Sequence, residues 1–524
     1  MKFPKFSKLQ IILAAVILIS AVFLRLVNLD SLPVFADEAI YVRWAQVMRA
    51  EPTLRFVPLS DGKQPLYMWV VIPFQKLITD PVVAGRIVSA LTGVGTLLGV
   101  GVLTFILFRS RNVALVASAF YALSPYTVFY DRVALVDSML SMFGVWFLVF
   151  SLLAVIHKRM DWSMIAGFAL GGALLTKSPG LFFVILLPTT ILFFQFPKNQ
   201  NKRLIELTKV GLRWGATLSI GYGFYNILRL GPNFHMIARR NQDYVYPFTH
   251  VFDTPLDPFI PYFHRNFQFF LILGGVVLVF LFVIGVINLR KRWKQIVLLL
   301  AWLLIPIIAV SEYSKTMTPR YIYFTVPYFI VIAGSSYILF KGKLEKVFML
   351  IMAGFVVASL YKNYQIIVNT EDAKLPTTVR SGFLEEWTSG TGIRESSEII
   401  RQQYLSDPSK KIVVGTEGFF GTLPDAMQAY LNDIPEITVI GLGVNFGEVP
   451  DGLVESFRSG NKTYFIVNES RLNVNPTELG LVVLKSFDKA ERSEGTMEHS
   501  WNGPQDRLFL MELTEVAPLP VENQ

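Results

Sequence analysis

Residues 10–29 read QIILAAVILISAVFLRLVNL, an apolar run with Arg25 as its only charge. A hydrocarbon core about 30 Å thick needs about 20 such residues as helix, so the run predicts a bilayer-spanning helix. Comparable runs recur at roughly 81–108, 112–130, 137–156, 162–177, 179–196, 207–228, 267–289, 295–311, 320–340 and 344–366. The chain therefore predicts a polytopic α-helical membrane protein of about 11 transmembrane helices. The stretch 162–196 would be about 50 Å long as one helix, and KSPG at 177–180 supplies the break that divides it into a hairpin. Of the 524 residues 52% are hydrophobic and 17% charged, against about 25% charged in soluble domains. The first run is too long for a signal-peptide core and no small-residue cleavage site follows it, so it reads as a retained anchor.

The formal charge of +9 sits mainly in short loops between apolar runs, which speaks for topology rather than nucleic acid. With Lys2, Lys5 and Lys8 inside and the runs alternating, five further groups fall on the cytoplasmic side. They are Arg109/Arg111, Lys158/Arg159, Lys198/Lys202/Arg203, Arg290/Lys291/Arg292/Lys294 and Lys341/Lys343/Lys346. The positive-inside rule expects this pattern. It places the N-terminus in the cytoplasm and the C-terminal region outside. From about 369 the composition becomes water-soluble. KKIVVGTEG, ITVIGLG, KTYFIVN, LGLVVLKSF and DRLFLMEL read as strands, with helical patterns at 394–405 and 424–431. The expected domains are 1–368, with outer loops 30–80 and 229–266, and an extracytoplasmic α/β domain at 369–524.

Zero Cys excludes disulfides, thiolate metal sites and cysteine nucleophiles. Asp37 and Glu38 follow the first span, at the start of a segment whose Ile40, Val42, Trp44, Val47 and Met48 favour one face. This predicts an amphipathic helix lying on the membrane. The pair either caps that helix through its dipole or performs chemistry at the membrane surface. Asp131, Arg132 and Asp137 fall on the same side, where interfacial ionisable groups mark substrate paths. Their structural alternatives are an N-cap for Asp137 and a snorkelling Arg132. Arg86, Lys177 and Arg320, the last beside Tyr321 and Tyr323, are either interfacial anchors or, if they converge, a phosphate site. Arg239, Arg240, His250, Asp253 and His264 lack metal-ligand spacing, and GTEGFFGTLP at 415–424 reads as a turn feeding a helix. NKT at 461–463 and NES at 468–470 match the N-glycosylation acceptor pattern.

The segments VFADEAIY, KQPLYMW, GRIVSALTG, DRVALVDSML, LLTKSPGLF and PRYIYFTVPY run in order across roughly 10–340. Together they resemble the large membrane glycosyltransferases that use polyprenyl-phosphate sugars (the GT-C superfamily), within them the protein O-mannosyltransferase and aminoarabinose-transferase group. The resemblance implies Asp37 as catalytic base supported by Glu38. It also implies a site near Arg132 and Asp137, and a lipid phosphate held by Arg86, Lys177 and Arg320, with Tyr321 and Lys63 beside them. The implied partners are a polyprenyl-phosphate-linked sugar, a protein or glycolipid acceptor and the bilayer, without nucleic acid. No cofactor is indicated; a divalent metal fits the chemistry without any ligand spacing calling for it. The chain departs from the eukaryotic mannosyltransferases in three ways. Residues 229–266 leave no room for their β-trefoil insert, QPL replaces a double Pro, and the C-terminal domain has no matched counterpart. A ligase or polymerase using pyrophosphate-linked lipid is the rival enzyme. A transporter or flippase would instead need charges deep in several spans.

Overall fold

The computed structural model describes residues 7–340 and 342–516; Lys2, Lys5 and Lys341 lie outside the described residues. The chain divides into two compact units. One comprises 1–29, 48–74 and 85–376, and the other 30–47, 75–84 and 377–524. In chain order the first helices are α1 (Lys8–Leu26), α2 (Ala36–Ala50), α3 (Leu66–Phe74), α4 (Pro81–Phe108), α5 (Arg111–Leu123), α6 (Pro125–Tyr130), α7 (Val136–His157) and α8 (Met160–Thr176).

The first unit is an α-helical membrane bundle. Six described helices are long and apolar enough to cross a bilayer: α1, α4, α7, Arg290–Tyr313, Pro319–Phe340 and Glu345–Val368. The other expected spans are helical but of different kinds. Arg111–Leu123, α8 and Ser178–Phe193 are shorter, and Gln200–Tyr225 begins in a polar turn. The segment expected as a straight span at 267–289 is a bent pair, Phe259–Gly274 and Val276–Ile287, at 115°. The bend falls at Gly275, whose φ of +87° is open to glycine and strained for other residues. Ser178–Gly180 forms a short 3-10 turn after α8, with Lys177 extended, so the chain breaks at KSPG.

Small residues set the packing in the bundle. Gly167 and Gly171, one turn apart on α8, lie against Ile220 and Phe224 of Gln200–Tyr225, so close that a Cβ would collide. This is the small-xxx-small contact that drives helix association in lipid. Trp146 of α7 donates to the Gly95 carbonyl of α4 at 3.0 Å, and Thr92 bonds Ser138 at 3.0 Å, so α4 and α7 run parallel. Their C-terminal ends therefore share one end of the bundle. The basic turn at Arg109/Arg111 lies there, where Arg111 and Asn112 bond Gln10 near the start of α1. Arg292 stacks over Phe108 at that end as well.

The second unit holds a five-stranded sheet of order β2-β1-β3-β5-β4. Its strands are β1 (Ile412–Thr416), β2 (Ile437–Gly441), β3 (Lys462–Asn468), β4 (Leu481–Asp488) and β5 (Arg507–Leu513). β1 pairs in parallel with β2 and β3, and β5 is antiparallel to β3 and β4. Alternation along the strands divides the core, as a period of two requires. Tyr464, Ile466, Leu508 and Leu510 join Ile393, Ile400, Leu423 and Met427 on one face. Phe465, Val467, Met511 and Leu513 meet Leu453 on the other. Val34 and Ala39 enter the first of these cores. The expected membrane-lying helix at 37–50 is thus corrected. Ala39 enters the core of the sheet unit, and Arg43 and Gln46 bond Gln428, Asn432 and the Ala429 carbonyl of the same unit, so α2 packs on protein.

Candidate active site

Asp37 and Glu38 belong to the second unit, and Lys63, Arg86, Arg132, Asp137, Lys177, Arg320 and Tyr321 to the first. In α2, Glu38 is fully buried and accepts the Phe35 N–H at 3.0 Å, closing the first turn as a capping-box carboxylate does. Asp37 keeps partial exposure on the same turn. Glu38 thus takes the capping role that the sequence left open for the pair.

In the first unit, the loop after α6 is built around Asp131. Its carboxylate is fully buried and takes four donors: Arg25 Nε at 2.9 Å and Tyr121 Oη at 3.1 Å on one oxygen, Ser138 Oγ at 2.6 Å and Tyr323 Oη at 2.7 Å on the other. Arg25 donates three further N–H groups to the carbonyls of Ala21, Ala122 and Tyr121. Gly93 of α4 passes so close to Asp131 that any Cβ would overlap the carboxylate. A buried pair with every lone pair satisfied is a structural joint, here tying α1, α5, α7 and the Pro319–Thr325 turn together.

Arg132 and Arg86 serve the exit of α1. Arg132 donates to the carbonyls of Leu24 at 2.9 Å, Val27 at 2.7 Å and Asn28 at 2.7 Å, and Arg86 to Leu29 at 2.6 Å. Cations at a helix C-terminus satisfy its orphan carbonyls and oppose its dipole. Arg132 thus neither snorkels nor stands open to a ligand. Lys63 lies 3.7 Å from Asp61, which also pairs with Arg240 at 2.6 Å.

The remaining positions come together. Lys177 Nζ lies 2.7 Å from Asp137 Oδ1 and 5.5 Å from the centre of the Tyr321 ring, with the Arg320 guanidinium 5.7 Å from the same ring. Asp137 is 2% exposed, whereas the Lys177 side chain keeps 23% of its surface. Asp137 therefore tethers a lysine instead of capping α7. Two neighbouring contacts fix the cluster. Tyr126 Oη holds the Pro319 carbonyl at 2.9 Å beside Arg320, and Gln64 Nε2 bonds Ser178 Oγ at 2.9 Å beside Lys177. The KQPLYMW segment thus enters the site through Gln64, while Tyr67 bonds the Gly85 carbonyl of α4 at 2.8 Å. Lys177 and Arg320 both lie against the Tyr321 ring, and Arg86 is engaged at Leu29. Two cations around one ring suit an anionic oxygen cluster such as phosphate.

The sequence alone assigns no role to Arg25, Tyr121, Ser138 or Tyr323, the four donors to Asp131. Arg25 carried a signal, as the lone charge of an otherwise apolar span. In the second unit Asn468, of the NES acceptor pattern, is buried and donates to Glu417 at 2.7 Å.

Residues 54–215 match the family model of dolichyl-phosphate-mannose-protein mannosyltransferases. No curated protein matches the chain by sequence. The fold is similar to the crystal structure of ArnT from Cupriavidus metallidurans in the apo state, at 13% identity over 97% of this chain and 98% of that one, with a TM-score of 0.60. The same protein bound to undecaprenyl phosphate gives 16% identity over 97% and 99%, with a TM-score of 0.57. The archaeal oligosaccharyltransferase AglB from Archaeoglobus fulgidus, in complex with an inhibitory peptide and a dolichol-phosphate, gives 15% over 88% and 69%, with a TM-score of 0.51. The expected likeness to the GT-C group is thus borne out: an integral membrane protein with the fold of these glycosyltransferases, carrying a mannosyltransferase-type segment.

Proposed function

We propose that this protein is an inverting glycosyltransferase. It moves a monosaccharide from a polyprenyl-phosphate donor to a hydroxyl of a protein or glycolipid acceptor on the non-cytoplasmic face. The observation that carries the reading is the Lys177–Tyr321–Arg320 cluster with its Asp137 tether. The similar proteins solved with undecaprenyl phosphate and dolichol-phosphate support a lipid phosphate as its ligand. The basic turn at Arg109/Arg111 lies at the C-terminal ends of α4 and α7, and the cluster is fixed beside the N-terminal end of α7. Under the positive-inside rule this supports an outward-facing site, with the N-terminus inside and residues 369–524 outside a cell membrane.

In the reaction, the acceptor oxygen bonds the anomeric carbon as its proton passes to the Asp37 carboxylate. The bond from that carbon to the phosphate oxygen breaks, and polyprenyl phosphate leaves with the electron pair. A hydroxyl needs a base within hydrogen-bond reach to attack. The leaving phosphate needs charge stabilisation rather than a proton, which Lys177 and Arg320 supply. Glu38 supports Asp37 by fixing the helix turn that carries it, and Arg86 and Arg132 hold the exit of α1.

Purified protein should transfer sugar from a polyprenyl-monophosphate-linked donor and release polyprenyl phosphate. Turnover confined to pyrophosphate-linked donors would replace this reading with the ligase or polymerase.

A further inference from the structure

The end of α8 away from Lys177 carries a second cationic cluster that sugar transfer does not use. α7 ends at His157, and Lys158 follows in the left-handed conformation with φ +57°. Its Nζ lies 2.9 Å from Glu206 and 4.7 Å from the centre of the Phe194 ring. Lys209 reaches the other oxygen of Glu206 at 3.0 Å. Arg213, on the next turn of Gln200–Tyr225, donates Nη2 to the Lys158 carbonyl at 2.9 Å. Only 8% of Arg213 is exposed, yet its Nη1 is buried without an acceptor, and so is Nε1 of the adjacent Trp214. Two lysines thus share one carboxylate with Arg213 held against the Lys158 backbone, and two sheltered N–H donors are left over.

We propose that this cluster binds the phosphate of an anionic membrane phospholipid. The 22 residues of α7 span about 33 Å, matching a hydrocarbon core of about 30 Å, so Lys158 falls at headgroup depth. Met160 and Met164 of α8 and Leu204 and Leu212 of the neighbouring helix expose apolar side chains beside it, a surface for acyl chains. Basic pockets between membrane helices recognise headgroup phosphates in this way. The non-bridging oxygens compete with Glu206 for the two lysines and supply the acceptors that Arg213 and Trp214 lack. The 17 residues of α8 separate this cluster from Lys177 by about 25 Å, so it is distinct from the proposed donor site.

The test is native mass spectrometry of the full-length protein released from nanodiscs of phosphatidylglycerol or phosphatidylcholine. The expected result is at least about tenfold preferential retention of phosphatidylglycerol, lost in Arg213→Gln. The surface variant Lys209→Gln should weaken it several-fold with the melting temperature unchanged, which keeps the test decisive if Arg213→Gln does not fold. Equal retention of the two lipids, or undiminished retention in both variants, would overturn the proposal. So would displacement of the lipid by millimolar inorganic phosphate, which would make this a site for the free ion.

Discussion

Asp131 and Asp137 lie on one short stretch of chain, both nearly sealed from solvent, and they do opposite things. Four donors from four elements saturate Asp131, and its partner Arg25 has no surface left to meet a ligand. Asp137 holds a single lysine whose side chain still reaches the surface beside Tyr321 and Arg320. In α2, Glu38 is fully buried and closes the first turn, while Asp37 keeps partial exposure. A carboxylate whose acceptors are all filled fixes the fold. A carboxylate that orients a reachable cation leaves that cation available to a ligand.

The largest effect should come from the saturated side of that contrast. Asp131→Asn leaves Arg25 charged and buried without its counter-ion, at a cost of about 3–5 kcal/mol. Detergent melting curves should show a large drop; an unchanged midpoint would mean the joint carries little. Asp37→Asn should instead melt like the parent while its turnover falls about 10²–10⁴-fold. Lys177→Ala should lower kcat/KM about 10–100-fold, the worth of one charged hydrogen bond at about 1.5–3 kcal/mol, with kcat falling as well as donor binding because the same charge meets the leaving phosphate. Asp137→Asn keeps the lysine but loosens it, so steady-state kinetics should show a several-fold rise in KM with kcat nearly kept; an equal fall in kcat would give Asp137 a part in the chemistry.

The smallest effect concerns a buried carboxylate that lacks saturation. Burial pushes Asp425 up to about 6, against the opposing N–H of Gly421 and the Arg43 charge. Its pKa in the unfolded chain is near 3.8, so the folded state binds the extra proton between these values. Stability should therefore fall as pH rises from about 4 to 6 and stay lower above. In Asp425→Asn that slope should vanish from the melting curves, with a gain of about 1–2 kcal/mol at pH 7. A slope that survives the substitution would assign it to other groups.

The sheet domain was legible because each strand is a short β-branched or aromatic run between turn residues, and all five strands fall where the pattern puts them. The helices Asp451–Arg458 and Met497–Asn502 were not, being too short for a helical period to stand out. The bend at Gly275 was hidden for a different reason: the apolar run continues straight through it. The moment of α2 was visible but its surroundings were not, since an apolar face suits lipid and protein equally. For the site, residue type drew attention to Lys177, Arg320 and Asp137. Only the fold could show that Arg86 and Arg132 are spent on the carbonyls ending α1.

The proposed transfer needs a lipid phosphate to meet Lys177 and Arg320, and binding reports on that contact without any knowledge of sugar or acceptor. Thermal unfolding of the purified protein should shift upward with added undecaprenyl phosphate, by mass action on the folded state. The shift should disappear in Lys177→Ala/Arg320→Ala, read against that variant's own unliganded melting temperature, which falls because buried Asp137 loses its lysine. An undiminished shift in that double variant would contradict the account.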